Sequence, residues 1–380
     1  LNSNHIGGDG GAGYANGGAY FSVYGQVQAT SNLADGNGGA FYLAGGSRLV
    51  VDDDYLNTRP QIWVNQAANG GAVYASSSSR IDCLGADFGG SSNGNSATSG
   101  SGGAIYLSGG ALAADNCTFR NNQAQAGDGG AIAAYTATVM IDADYSTALL
   151  SPIGSAERSG PSAPQATVCD PLATQCSSFS NNRAISSTVN NGNGGAIYSY
   201  ASALHVNNTY LQRNRAVRGG AIYQENATAR SWLSNTLIYS NTSLLQVGAG
   251  IRNDNGVLTL TQVTVANNVG GAGLSGGGTA NYVYNTIIWG NGNTSTPPIG
   301  GSGCNIDQAG HFGVNTNPLF SGAGAAENYH LGVGSPAIDA CASGLPRDLD
   351  NVARPFGPQF DMGAYEWRIY RLNLPIILRN

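Results

Sequence analysis

The sequence predicts an all-β fold, a right-handed parallel β-helix (β-solenoid) with a C-terminal capping segment, and three observations predict it. A Gly-Gly-Ala-(Ile/Val)-Tyr mark recurs along the chain, as at Gly70-Gly71-Ala72-Val73-Tyr74 and Gly102-Gly103-Ala104-Ile105-Tyr106. A second set, an apolar residue followed three positions later by Asn, recurs between those marks. The composition suits stacked turns: 57 glycines in 380 residues, 41% hydrophobic and only 10% charged, where ordinary globular proteins carry about 25% charge. A disordered Gly-rich chain would lack the periodic apolar set.

The glycine marks begin at residues 17, 38, 70, 102, 129, 194, 219, 248 and 271, the last two degraded to Gly-Ala-Gly. Most steps match one solenoid rung of ~20–50 residues. The long step after Gly129 must hold an insertion, and residues 143–178, with Pro152, Pro161, Pro164 and Pro171, have loop composition. The paired glycines predict a tight corner that no Cβ obstructs. Period-two alternation then points Val73, Ile105, Ile132, Ile197, Ile222 and Ile251 inward and Tyr42, Tyr74, Tyr106, Tyr198 and Tyr223 outward. Short connections leave no room for crossover helices.

In the second set, Phe119, Phe179, Leu211, Ile238, Val265 and Ile288 point inward, and Asn122, Asn182, Asn214, Asn241, Asn268 and Asn291 mark a turn. Asn tolerates left-handed geometry, and identical amides stacked at the ~4.8 Å strand spacing bond one another, so these predict a structural ladder. The repeats occupy residues 1–292. Residues 293–380 hold the last rung or rungs, a non-repetitive cap over the solenoid end, and a terminal strand near 370–378.

A family resemblance enters on that C-terminal part. Gly334-Ser335-Pro336-Ala337-Ile338-Asp339, Asp348-Leu349-Asp350, Arg354-Pro355 and Asp361-Met362-Gly363-Ala364-Tyr365-Glu366 resemble the C-terminal signature of bacterial choice-of-anchor Q surface proteins. The Gly-Gly-Ala-Ile repeats resemble those of polymorphic outer-membrane-type and pectate-lyase-like β-helix proteins. The resemblance implies an exported surface protein, commonly carrying a C-terminal anchor. Asn351 stands where that family commonly has Gly, and no transmembrane tail or sorting pentapeptide is expected after Glu366.

Six cysteines in so weakly charged a chain predict an oxidising compartment. Cys83 and Cys117 lie about one rung apart and are expected to pair; Cys169 can pair locally with Cys176, and Cys304 with Cys341 ties the last rung to the cap. The net charge of −6, without any Lys or basic block, argues against nucleic acid, and no apolar run is long enough to span a bilayer. The expected role is structural or adhesive at the cell surface. The expected partners are a second copy, joined head to tail through a first rung at Gly17-Gly18-Ala19-Tyr20, or surface and matrix glycans.

An enzyme acting on acidic polysaccharide is the competing class. Its candidate groups are Asp52 and Asp54, after Leu49-Val50-Val51, and Asp142 and Asp144, after Val139-Met140-Ile141. Either these or Asp348 and Asp350 could hold Ca²⁺, the one cofactor considered, because hard cations want clustered oxygens. In the cap, Arg354 is expected to pair with a carboxylate. A glycan-binding module, the third class, would expose the tyrosine stripe.

Overall fold

A computed structural model describes residues 1–54, 58–142, 176–186, 191–276, 280–293, 300–301, 304–311, 313–322 and 327–368. Among the described residues the chain is all-β: four parallel sheets of 8, 9, 10 and 10 strands wind as a β-solenoid, beside one antiparallel pair, Phe320–Gly322 with Asn328–Leu331. Each rung runs through the four sheets in turn. One rung, for example, passes Phe41–Leu43 (the tyrosine sheet), Arg48–Asp52 (the broad sheet), Gln61–Trp63 (the clasp sheet) and Gln66–Ala67 (the short sheet). Pairing between rungs is parallel and in register, as Val73 on Ile105 and Tyr74 on Tyr106. Residue types therefore form straight columns up the stack.

The inward columns make the core. Phe41, Val73, Ile105, Ile132, Ile197, Ile222, Ile251 and Leu274 line the tyrosine sheet, facing Phe88, Phe119, Phe179, Leu211, Ile238, Val265 and Ile288 of the clasp sheet. All are at most 2% exposed, and each contributes about 1.5–3 kcal/mol through burial. Further along the chain the core changes character. Where Leu43, Ala75, Leu107 and Ala134 stack in the early rungs, Ser199, Gln224 and Asn253 take the same column. Gln224 Nε2 donates to Asn253 Oδ1 at 2.9 Å, and Asn253 Nδ2 to Asn281 Oδ1 at 2.7 Å, so these buried amides stay paired.

The two corner glycines do different jobs. The first, at Gly38, Gly70, Gly102, Gly129, Gly194 and Gly219, holds φ between 59° and 71°. At the second, a Cβ on Gly71 would meet the Gly103 carbonyl oxygen at 2.2 Å. One glycine is needed for its backbone angle and the other for the closeness of the next rung.

Two expectations about turns are corrected. The first corner is Gly10-Gly11, since Gly13–Ala15 pairs with Phe41–Leu43; Tyr20 instead begins a broad-sheet strand opposite Arg48. Gly17-Gly18-Ala19 repeats the same tripeptide, but the strand after it sets Phe21 and Val23 on Leu49 and Val51 of the broad sheet. Nor do the ladder asparagines adopt left-handed geometry. The preceding residue usually does: Ser31, Val64, Asn121, Asn181, Arg213, Ser240 and Asn267 have φ between 52° and 59°. That twist swings the next amide inward.

The C-terminal segment lies along the side of the solenoid, against the outer face of the clasp sheet. Tyr365 Oη meets Tyr210 Oη at 3.2 Å, Ala364 N donates to Thr264 Oγ1 at 3.0 Å, and Gly363 N donates to Asn285 O at 2.7 Å. The outward residues of that sheet change to match. Asp87, Thr118 and Ser178 give way to Tyr210, Leu237 and Ile287 in the same column. These bury with Tyr239, Tyr329, Leu349 and Tyr365, and with Leu331, Cys341 and Met362. Residues 143–175 and the expected terminal strand lie outside the described residues.

Candidate functional site

The buried amides form a continuous rail. Nδ2 of Asn32, Asn65, Asn95, Asn122, Asn182, Asn214, Asn241 and Asn268 each donates to Oδ1 of the next at 2.8–3.0 Å, ending on Asn291. The same Nδ2 also reaches back to the preceding rung, as Asn182 to Phe119 O at 2.9 Å. Sequence reading found the ladder from Asn122 onward and missed Asn32, Asn65 and Asn95. Those three lack the regular Asn-Thr lead-in, but each still follows an inward apolar residue: Ala29, Ile62 and, at longer spacing, Phe88.

A second rail, missed altogether, precedes the corner glycines. Asn37 Nδ2 donates to Asp9 Oδ1 at 3.2 Å, Asn69 Nδ2 to Asn37 Oδ1 at 3.0 Å, and Ser101 N to Asn69 Oδ1 at 3.0 Å. Asp128 N donates to Ser101 Oγ at 3.0 Å, Asn193 N to Asp128 Oδ1 at 2.9 Å, and Arg218 Nε to Asn193 Oδ1 at 3.0 Å. Its mixed composition hid it. Donation here runs toward the N-terminus, opposite to the first rail. Asp128 is buried in the middle, and burial, with Glu225 nearby, lifts its carboxyl from 3.8 to about 6.

Beside this corner the tyrosines stack. Ring centroids of Tyr14, Tyr42, Tyr74 and Tyr106 are 5.0–5.1 Å apart and nearly parallel. The column has Ala133 where the next ring belongs. Tyr135, two residues on, fills the gap at 5.2 Å from Tyr106 and 5.4 Å from Tyr198, and Tyr198 stacks on Tyr223. The stripe is therefore less exposed than alternation alone predicts. Tyr42, Tyr74 and Tyr106 are partly covered, and Tyr198 and Tyr223 are buried. Tyr198 Oη donates to Glu225 at 3.0 Å and Tyr223 Oη to Asp254 at 2.8 Å, and burial raises the pKa of both phenols. The faces within the pile contact one another, so it presents ring edges, not the free faces a sugar would cover.

The acidic candidates do not converge. Asp52, the Asp115 position and Asp142 follow one edge of the broad sheet, with Leu84 between the first two. Three rung steps separate Asp52 from Asp142, about 14 Å at the strand spacing. Asp142 is turned inward: its oxygens accept from Ser177 N at 2.7 Å, Ser177 Oγ at 2.8 Å and Asn116 N at 2.9 Å. Burial, with Asp115 beside it, raises its pKa. Asp54 accepts from Thr58 N at 2.8 Å, and Asp144 lies outside the described residues.

Asp348 and Asp350 also part company. Asp348 is buried and accepts from Val352 N at 2.7 Å and Glu366 N at 2.9 Å, whereas Asp350 faces His330 Nε2 at 2.7 Å. No group of three His, Cys, Asp or Glu among the described residues is arranged to hold a metal. The carboxylates of this segment serve its backbone. Asp361 accepts from Asp339 N at 2.6 Å, Glu366 from Phe356 N at 2.9 Å, and Arg354 sits buried with its guanidinium 3.6 Å from Glu366. Arg354 Nη2 also donates to Gly363 O at 3.0 Å, which holds the stretch that meets the clasp sheet.

Cys83 is bonded to Cys117, with Cα atoms 6.3 Å apart, and Cys304 to Cys341, with Cα atoms 5.6 Å apart. The first joins adjacent rungs; the second ties the last rungs to the C-terminal segment. Cys176 is disulfide-bonded, and Cys169 lies outside the described residues.

The sequence profile of the Chlamydia polymorphic membrane protein repeat matches residues 116–135 and 177–200. Both stretches run from the turn into the clasp sheet, through the Asn rail and the paired glycines, to the tyrosine sheet. No curated protein and no solved structure matches the chain.

Proposed function

We propose that the chain is an exported, cell-surface structural or adhesive β-solenoid. The observation that carries this reading is the Cys83–Cys117 bridge between adjacent rungs, because such bridges persist in oxidising surroundings. The polymorphic membrane protein repeats, spanning the next rungs, agree with it. Under this reading the C-terminal segment corresponds to the choice-of-anchor Q signature, and Tyr365, Arg354 and Glu366 are its docking core. The finer version is a head-to-tail fibre, supported by the unpaired edges that any stack of parallel strands offers at its ends. A lyase or glycosidase is the weaker reading. Paired glycosidase carboxylates stand about 5–9.5 Å apart, and the expected pair is several rungs separated.

Antibodies raised to the purified solenoid test the location. Labelling of intact source cells, lost on mild surface proteolysis, is expected. Signal found only after lysis would overturn the proposal. Electron microscopy of concentrated protein tests the fibre, and particles that stay single at every concentration would remove it.

A further inference from the structure

The middle outward column of the broad sheet carries a feature that neither rail nor stack uses. Successive rungs place Met140, His205, Trp232, Thr259, Tyr282 and Gly300 in that column. His205 and Trp232 stack with centroids 4.5 Å apart and planes 17° from parallel, which covers one face of the indole. On the other side stands Thr259, too small to cover the second face, and Trp232 remains 41% exposed. Beyond Thr259, the Tyr282 ring lies against Gly300, where an added Cβ would come within 2.9 Å of it. Trp232 thus packs on the His205 side of Thr259 and Tyr282 on the Gly300 side. Between them opens a slot two strand spacings wide, about 9.6 Å, with Thr259 as its floor.

One edge of the slot is polar. Ser234, Thr261 and Tyr284 form the neighbouring column across these three rungs, and Ser234 Oγ donates to Asn207 Oδ1, one rung before, at 2.9 Å. The other edge is Arg230, Val257 and Ala280, and Arg230 Nη1 is already donating to Ala227 O and Ala229 O. Burial disfavours the charged form of His205. The slot has two aromatic walls, a hydroxyl-lined edge and little charge.

We propose that this slot binds one pyranose residue of a neutral glycan, its ring held between Trp232 and Tyr282. Carbon–carbon contacts of about 3.5–4.0 Å on both faces use some 7–8 Å of the opening, and the pucker of a saturated ring takes up the rest. A flat ligand would leave one wall uncovered. Equatorial hydroxyls at the ring edge then meet Ser234, Thr261 and Tyr284. The inference differs from the tyrosine-stripe expectation in offering ring faces, and it holds whether or not the chain is displayed on a cell.

The test is affinity electrophoresis of the full chain in native gels containing laminarin, mannan or galactan, with alginate as the acidic comparison. Retardation in at least one neutral gel is expected. W232A should weaken it tenfold or more, and T259W, which fills the slot by extending the ring stack, should abolish it while melting like the unaltered chain. Y74A, in the tyrosine pile, should behave as the parent. The proposal is overturned by no retardation in any neutral gel, by retardation in alginate alone, or by retardation that T259W leaves intact. T259W decides the matter if W232A fails to fold.

Discussion

Replacing Asp128 by Asn should stabilise the protein at neutral pH and leave it unchanged in acid. Asp128 is 7% exposed in the second rail, with Asn193 N at 2.9 Å from Oδ1 and Tyr135 Oη at 3.5 Å from Oδ2. Its carboxyl rises from 3.8 to about 6, chiefly through burial and secondarily through Glu225. That rise corresponds to about 3 kcal/mol of disfavoured ionisation. Between the unfolded and folded values the native state holds the proton more tightly, so this group's contribution falls as pH rises. The penalty is absent below about pH 3 and complete above about pH 7. Asn keeps the acceptor for Asn193 and carries no charge. D128N should therefore gain up to about 3 kcal/mol at pH 7.5 and nothing at about pH 3. Urea melts of both proteins across that range measure the difference directly, because titrating groups not coupled to Asp128 cancel. Parallel pH profiles, or a variant weaker than the parent at pH 7.5, would refute the reasoning.

The rail and the bridges give further tests. N182A removes four buried side-chain hydrogen bonds, to Asn214, Phe119 and twice to Asn122, and should cost about 3–5 kcal/mol by urea denaturation; a loss below 1 kcal/mol would deny the rail its structural weight. Removing both Cys83 and Cys117, which close a loop of sequence separation 34, should cost about 3–4 kcal/mol, measured against the parent under non-reducing conditions. R354M leaves Glu366 buried without its cation and should loosen the C-terminal segment, read as faster amide exchange at Gly363 and Ala364. Exchange identical to the parent would show that the pair does not hold that stretch. A133Y should be tolerated poorly, because Tyr135 already occupies the ring position; a melting temperature equal to the parent would count against that packing.

The fold was legible in the sequence because a solenoid writes each column as a recurrence. Gly70-Gly71 and Gly102-Gly103 could be read at sight, as could Asn214 and Asn241, since one residue type satisfies one geometric demand in every rung. Legibility failed where different residues meet the same demand. Asp9, Asn37, Ser101 and Arg218 can all occupy a corner rail, which asks only for a hydrogen-bonding group of suitable reach. Tyr135 fills a ring position from a different column, which pairing alone cannot predict. The C-terminal segment was seen as a partner for the solenoid but expected over its end. The clue to its true seat was the pair of adjacent apolar residues at Leu237-Ile238 and Ile287-Ile288, where only the second can face inward. The open ring face at Trp232 needed the structure, because it depends on which way two aromatic residues lean.

The seating of the C-terminal segment orders events in folding. Rungs can zip one upon another as the chain emerges, each needing only its predecessor. Tyr365 must instead travel to Tyr210, 155 residues upstream, and it has nowhere to dock until the rungs carrying Leu237, Thr264 and Ile287 are in place. Until then Tyr210, Leu237 and Ile287 form a bare greasy seam on otherwise finished architecture. A nascent or prematurely terminated chain would display that seam, which makes it the surface a chaperone would hold and the first to promote aggregation.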